Sequence, residues 1–154
     1  MPVKDWGSRK IVDLEWQGPK LFSLNRTPQT VPDYRGVYLL SSRKEMYEYA
    51  RGRSSLAYIG SGKVADRLPA HVSRNPRVQT VLTNEGTMWF WYARVAQGIH
   101  DCVEQILFDD FVERHGENPV LNVVRPSCAL DWTNVTVRHN NLSFPYDFSR
   151  RDFP

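Results

Sequence analysis

Tyr38, Tyr58, Arg67, His71, Glu104 and Asn122 follow one another along a chain of 154 residues, and each is of a type that phosphodiester chemistry uses. Hydrolysis of a phosphodiester needs a nucleophilic water, a group to take its proton, cationic support for a phosphorane-like state and help for the departing 3′ oxygen. Tyr38 can deprotonate or orient the water if neighbouring cations lower its pKa, and Lys63, Arg67 and His71 are the cations nearest in the basic stretch. Tyr58 can donate a hydrogen bond to a phosphate oxygen, and Arg67 offers an always-charged, bidentate contact. Glu104 is a hard oxygen ligand of the kind Mg²⁺ takes, commonly one or two carboxylates with several retained waters. Such an ion stabilises the departing oxyanion. Asn122 can hold the site together through side-chain to backbone hydrogen bonds.

Taken singly, each residue also has an ordinary structural role. Tyrosines in strands are most often core aromatics, an arginine and a histidine on a short helix are usually surface residues, and a glutamate beside an apolar stripe usually caps it. Asn122 after Pro119 reads as a turn residue. Only the joint pattern favours chemistry.

The elements that must position these residues are legible as patterns. Gly36 to Leu40 and Ser55 to Ile59 read as short strands, rich in apolar, β-branched and aromatic residues. Ser41 to Ser54 between them is polar and basic and reads as a long hairpin loop or a segment carrying a short helix. A short helix is expected after Gly60-Ser61-Gly62. Asp66 as its N-cap would place Pro69 in the first turn, where no amide donor is needed, and Asn75-Pro76 would end it near Arg74. Arg67 and His71 then share one face at i, i+4. Thr87 to Val95 is the strongest strand pattern. Ile99 to His115 is the clearest helix, with Ile99, Val103, Ile106, Leu107 and Phe111 on one stripe and Gly116 as its stop. Glu104 falls just past the stripe edge, while Asp101 reads as solvated. Asn134 to Arg138 is a candidate last strand.

The expected organisation is an N-terminal arm (1–34), a core (35–126) and a C-terminal extension (127–154), the two flanking segments packed on the core. No apolar run approaches the roughly 20 residues of a membrane span, and no signal-peptide pattern opens the chain, so the expected location is cytoplasmic. Cys102 and Cys128 are too few for a disulfide framework and lack metal-ligand spacing, which predicts two reduced thiols. The net charge of +3 is unevenly spread. From Arg35 to Arg77 there are nine Lys or Arg against three acids, a local +6, leaving −3 for the remainder. A cationic stretch around the candidate residues suits a phosphate backbone, although charge runs are commonly just solvated faces.

In sequence, Gly36-Val37-Tyr38, Tyr58-Ile59-Gly60 with Ser61-Gly62-Lys63 after it, the Arg67–His71 pair, Glu104 in the middle helix and Asn122 after a helix-ending Gly and Pro resemble the signature of the GIY-YIG endonucleases. The resemblance covers Arg35 to about Arg125. It implies an α/β (α+β) fold, a small central, mostly antiparallel three-stranded sheet flanked by helices. It further implies a divalent-metal-dependent enzyme, using Mg²⁺ or Mn²⁺, that cuts DNA to leave 5′-phosphate and 3′-hydroxyl ends. By that analogy Tyr38 acts as general base or water-positioner helped by His71 or Lys63, Tyr58 and Arg67 hold the scissile phosphate, Glu104 binds the metal and Asn122 braces the site. Restriction enzymes of the family similarly place an arginine and a histidine after the second motif, which implies duplex DNA as substrate. A homodimer would be needed to cut both strands of a symmetric site. The gap between the tyrosines is longer than the compact family pattern, and Arg43, Lys44, Arg51 and Arg53 in it, with Lys63 and Arg74, are the expected substrate contacts. Two other classes compete: a catalytically silent nucleic-acid-binding or scaffold module of the same fold, and a nuclease directed at RNA or acting as a toxin.

Overall fold

The run Arg35–Ser42 (β3) alternates its side chains between two hydrophobic layers, and the rest of the structure is arranged around it. The computed structural model describes residues 10–25, 33–96, 98–128 and 135–149. β3 pairs antiparallel with Leu56–Lys63 (β6) on one side and Met88–Arg94 (β7) on the other, and β7 pairs antiparallel with Gln17–Phe22 (β2). The described sheet therefore has four strands in the order β2-β7-β3-β6, one more than the expected three. The additional strand comes from the amino-terminal arm, whose Phe22 is buried opposite Met88. Lys10–Glu15 (β1) and Val135–Asn140 (β8) form a separate parallel pair, so the arm and the carboxy-terminal segment meet each other.

Period-2 alternation in β3 sets the two layers. Val37 and Leu39 face Val103, Leu107 and Phe111 of His100–His115 (α3), together with Trp16, Phe144 and Phe148. Tyr38 and Leu40 face Val64 and Leu68 of Val64–Arg74 (α1) and Val78 and Leu82 of Pro76–Glu85 (α2). The three described helices and the largely antiparallel sheets make this a mixed α+β arrangement, as expected at that level.

Several local expectations change. The strand β6 runs to Lys63 and passes straight into α1, so Lys63 and not Asp66 is the N-cap, and Pro69 lies inside the helix. An interior proline costs about 3 kcal/mol; burial of Val64, Leu68 and His71 on the core side favours the helix despite it. The helix α2 has no counterpart in the expected elements. Its start was nevertheless encoded, because the Asn75 side chain accepts from the amides of Arg77 (3.1 Å) and Val78 (3.3 Å) with Pro76 at the first helical position. Residues 41–54 hold no helix. They fold as a small hairpin of Tyr47–Glu48 (β4) against Arg53–Ser54 (β5), anchored by Tyr49 Oη donating to the Leu56 carbonyl at 2.7 Å. Cys102 and Cys128 are joined in a disulfide with Cα atoms 4.7 Å apart, not left as two thiols, because the chain after Asn122 returns along α3, with Arg125 at Asp109 and Cys128 at Cys102. No helix among the described residues is long and apolar enough to cross a membrane.

Candidate active site

An open cleft of about 910 Å³ lies where β6 hands the chain to α1, and α3 closes its far wall. The strand β6 is at the sheet edge, so its two faces both contribute: Tyr58 and Gly60 turn toward α1, while Ile59 and Ser61 turn toward α3. Five of the six candidate residues, Tyr38, Tyr58, Arg67, His71 and Glu104, line this one cleft.

The two glycines of the second motif have a steric reason. Tyr38 is directly opposite Gly60 in the β3–β6 register, and its ring lies across that position. A Cβ on Gly60 would stand 2.5 Å from Tyr38 Oη and 2.8 Å from Tyr58 Cε1, so only glycine lets the two tyrosines approach. Gly62 has φ +127°, and a Cβ there would meet Arg67 Nε at 2.8 Å. The guanidinium can therefore fold back over the strand end.

Tyr38 and Tyr58 stack with ring centroids 6.0 Å apart, and the His71 ring meets both edge-on, 5.6 Å from Tyr38 and 4.6 Å from Tyr58. Tyr38 Oη lies 2.6 Å from His71 Nε2. His71 Nδ1 is 3.0 Å from Asn75 Nδ2, one helical turn on. Burial, and secondarily Arg67, lowers the His71 pKa to about 4, so the ring is neutral at pH 7. The lowered pKa on which a base role for Tyr38 would depend does not occur; the alternative role, positioning a water, does not need it. Burial, reinforced by Tyr58, pushes the Tyr38 hydroxyl well above the ordinary phenol range, and the opposing influence of Arg67 is smaller. Tyr38 is only 3% exposed, and a phenolate there would lose almost all of its hydration. The neutral hydroxyl can orient a water; it is not poised to deprotonate one. Tyr58 is also raised, by burial first and then by Glu104.

On the other wall, Ser61 Oγ donates to Glu104 Oε1 and lies 3.1 Å from Asp101 Oδ1. Asp101 is exposed, as expected, and also lines the open cleft one turn before Glu104. Burial raises the Glu104 carboxyl, the Ser61 bond opposes this, and Asp101 adds to it. Two carboxylates and a hydroxyl are an oxygen donor set that fits Mg²⁺ with waters completing its shell. No group of three or more His, Cys, Asp or Glu side chains suited to a metal occurs among the described residues.

Asn122 does not line the cleft. Its Oδ1 accepts from the Ile59 amide (3.0 Å) and its Nδ2 donates to the Ile59 carbonyl (2.9 Å), while the Leu121 amide bonds the Ala57 carbonyl (2.9 Å). The side chain thereby pairs the outer edge of β6 as a neighbouring strand would. That is a brace for the strand carrying Tyr58, Gly60 and Ser61.

Among the expected substrate contacts, Lys63 and Arg74 line the cleft, with Lys63 also 3.0 Å from Asp33. Arg43, Lys44, Arg51 and Arg53 do not. They belong to the hairpin that joins β3 to β6 at the opposite end of the pair from Gly62. Arg43 lies over the Trp89 ring, Arg51 donates to the Glu113 carbonyl at 2.6 Å, Arg53 pairs with Glu48 at 2.9 Å, and Lys44 sits beside Glu45 in a separate groove. The sequence reading missed Arg35, Ser61, Asp101 and Asn75. Asp101 had a signal in its i, i−3 spacing to Glu104, and Asn75 in its i+4 spacing to His71. Compared with known proteins, the chain matches no family model, no curated protein and no solved structure.

Proposed function

We propose that the chain is a phosphodiester hydrolase acting on nucleic acid, with duplex DNA as its substrate, and that it belongs with the GIY-YIG endonucleases. The observation that carries this reading is convergence: five residue types suited to one reaction, drawn from β3, β6, α1 and α3, line a single cleft. Arg67 holds the scissile phosphate, helped by the hydroxyl proton of Tyr58, and Arg35, Lys63 and Arg74 track the flanking phosphates. Tyr38, kept neutral by burial and hydrogen-bonded to His71, orients the attacking water. Glu104, with Asp101 and Ser61 beside it, would hold Mg²⁺ or Mn²⁺, which when bound supplies charge stabilisation to the departing 3′ oxygen. Concerted cleavage of both strands at a symmetric site requires a homodimer.

Plasmid nicking with and without Mg²⁺, by wild type and Glu104→Ala, tests the reading. The expected result is metal-dependent nicking, ending in 5′-phosphate termini, that falls by about 10²-fold or more in the variant. Equal rates in the two proteins would remove the metal role. No cleavage under any divalent ion, with binding retained, would make the chain a silent nucleic-acid-binding module instead.

A further inference from the structure

We infer that Asn75 is a positioning residue: it locks His71 in its Nε2–H tautomer and so sets the direction of a proton chain running Asn75 to His71 to Tyr38. The mechanistic part of this inference rests on the hydrolase reading above; the proton order does not.

The start of helix α2 fixes the orientation of the Asn75 amide. Asn75 Oδ1 is committed to the helix N-terminus, where it accepts from the amides of Arg77 and Val78 at 3.1 and 3.3 Å. An amide side chain has one oxygen and one NH₂, so fixing the oxygen fixes the nitrogen. Asn75 Nδ2 therefore faces His71, 3.0 Å from Nδ1, and it can only donate. His71 Nδ1 must accept and carries no proton. A neutral imidazole keeps its single proton on the other nitrogen, Nε2, which lies 2.6 Å from Tyr38 Oη. His71 consequently donates to Tyr38, and Tyr38 cannot pass its own proton to His71. That proton turns away from His71, toward the cleft and the Tyr58 ring stacked beside it with centroids 6.0 Å apart.

This order fixes what Tyr38 can offer a water. Tyr38 has one lone pair taken by His71 and one left to accept from a water. Reversed, with Nε2 unprotonated, Tyr38 would donate to His71 and would have no proton left to offer the cleft. The groups facing the His71 ring are Tyr38 from β3, Tyr58 from β6 and Arg67 from its own helix, and none of them determines which nitrogen holds the proton. Asn75 does.

Asn75→Asp is the discriminating variant. Aspartate is as good an N-cap as asparagine, so α2 is retained. Its second oxygen can only accept, which requires a proton on Nδ1 and, in a neutral ring, leaves Nε2 bare. In ¹⁵N-histidine-labelled protein at pH 7, long-range ¹⁵N–¹H correlation spectra should show His71 as the Nε2–H tautomer in the wild type and as Nδ1–H, or doubly protonated, in Asn75→Asp. Nicking by Asn75→Asp should fall at least about tenfold, mainly in kcat, while Asn75→Ser, which keeps the cap without the amide, should show a mixed tautomer. An Nδ1–H signal in the wild type, an unchanged tautomer in Asn75→Asp, or a switched tautomer with full nicking would each overturn the inference. A wild type that nicks under no metal would sink the hydrolase reading and the catalytic role together, with the proton order still decided by the nitrogen shifts.

Discussion

The two ends of the β3–β6 pair carry nearly the same set of residues and do different things with them. At the cleft end a buried histidine, His71 (7% exposed), meets Tyr38 and Tyr58 beside Arg67. At the hairpin end a buried histidine, His115 (1% exposed), meets Tyr49 and Phe111 beside Arg51. Around His115 the polar groups face inward on the backbone. Its Nδ1 donates to the Arg51 carbonyl at 2.9 Å, Arg51 donates to the last carbonyls of α3, and the Tyr49 hydroxyl joins the Leu56 carbonyl to the Val120 amide. That end is a clasp holding a hairpin to a helix terminus. Around His71 both ring nitrogens reach side chains and the tyrosines border open space. The lesson is that residue types define a possible chemistry, while solvent access and the identity of the hydrogen-bond partners decide whether it is available.

Replacing the two arginines breaks the comparison most sharply. Arg67→Ala should lower nicking about 10²-fold or more, because phosphate stabilisation is lost in the transition state. Arg51→Ala should leave the nicking rate unchanged and lower the melting temperature slightly, through loss of charge at the α3 carboxyl end. A loss of nicking in Arg51→Ala comparable to that in Arg67→Ala would place the hairpin in the substrate interface after all.

Acid titration of stability comes next. The folded His71 pKa of about 4 lies below the unfolded value of 6.5. The unfolded chain therefore binds the proton first, and stability falls as pH drops from about 6.5 to about 4, by roughly 3 kcal/mol at most from this residue. His139, also lowered to about 4 by burial, loses stability in the same window. Chemical denaturation of wild type and His71→Gln at pH 7 and pH 4.5 isolates the His71 share, and parallel losses in the two proteins would show that folding does not shift the pKa of this ring.

Glycines at the two ends give a smaller, graded contrast. Gly60→Ala drives a methyl into Tyr38 and should cost about 1–3 kcal/mol by overpacking. Gly52→Ala has room, its nearest neighbour being His115 Nδ1 at 3.8 Å, but it sits at φ +81°, so its cost should be about 1 kcal/mol. Guanidinium midpoints measured on both would reverse the steric argument if Gly52→Ala were the more damaging. Least of all, Arg53→Ala removes an ion pair exposed on both sides and should change stability by under about 1 kcal/mol.

Much of the framework was legible in the chain itself. A run rich in apolar, β-branched and aromatic residues marked β3, the aromatic run marked β7, and the apolar stripe with Gly116 marked α3, since each pattern needs only neighbours within a few residues. The basic hairpin, expected among the substrate contacts, lies outside the cleft, because its charge run looks the same in sequence whether it clasps a helix end or meets a phosphate surface. The amino-terminal strand was missed because Gly18-Pro19 breaks its pattern and only pairing with β7 supplies its hydrogen bonds.

The sequence by itself determined the candidate residues, their order, and the i, i+4 spacings that put Arg67, His71 and Asn75 in successive turns. Tertiary structure alone decided that Tyr38 lies across Gly60, that burial raises its hydroxyl pKa against the cations around it, and that Asp101 and Ser61 stand beside Glu104. The physical reason is that desolvation and hydrogen-bond direction depend on partners far apart in the chain, 33 residues for Tyr38 and His71 and 43 for Ser61 and Glu104, where no local pattern can specify them.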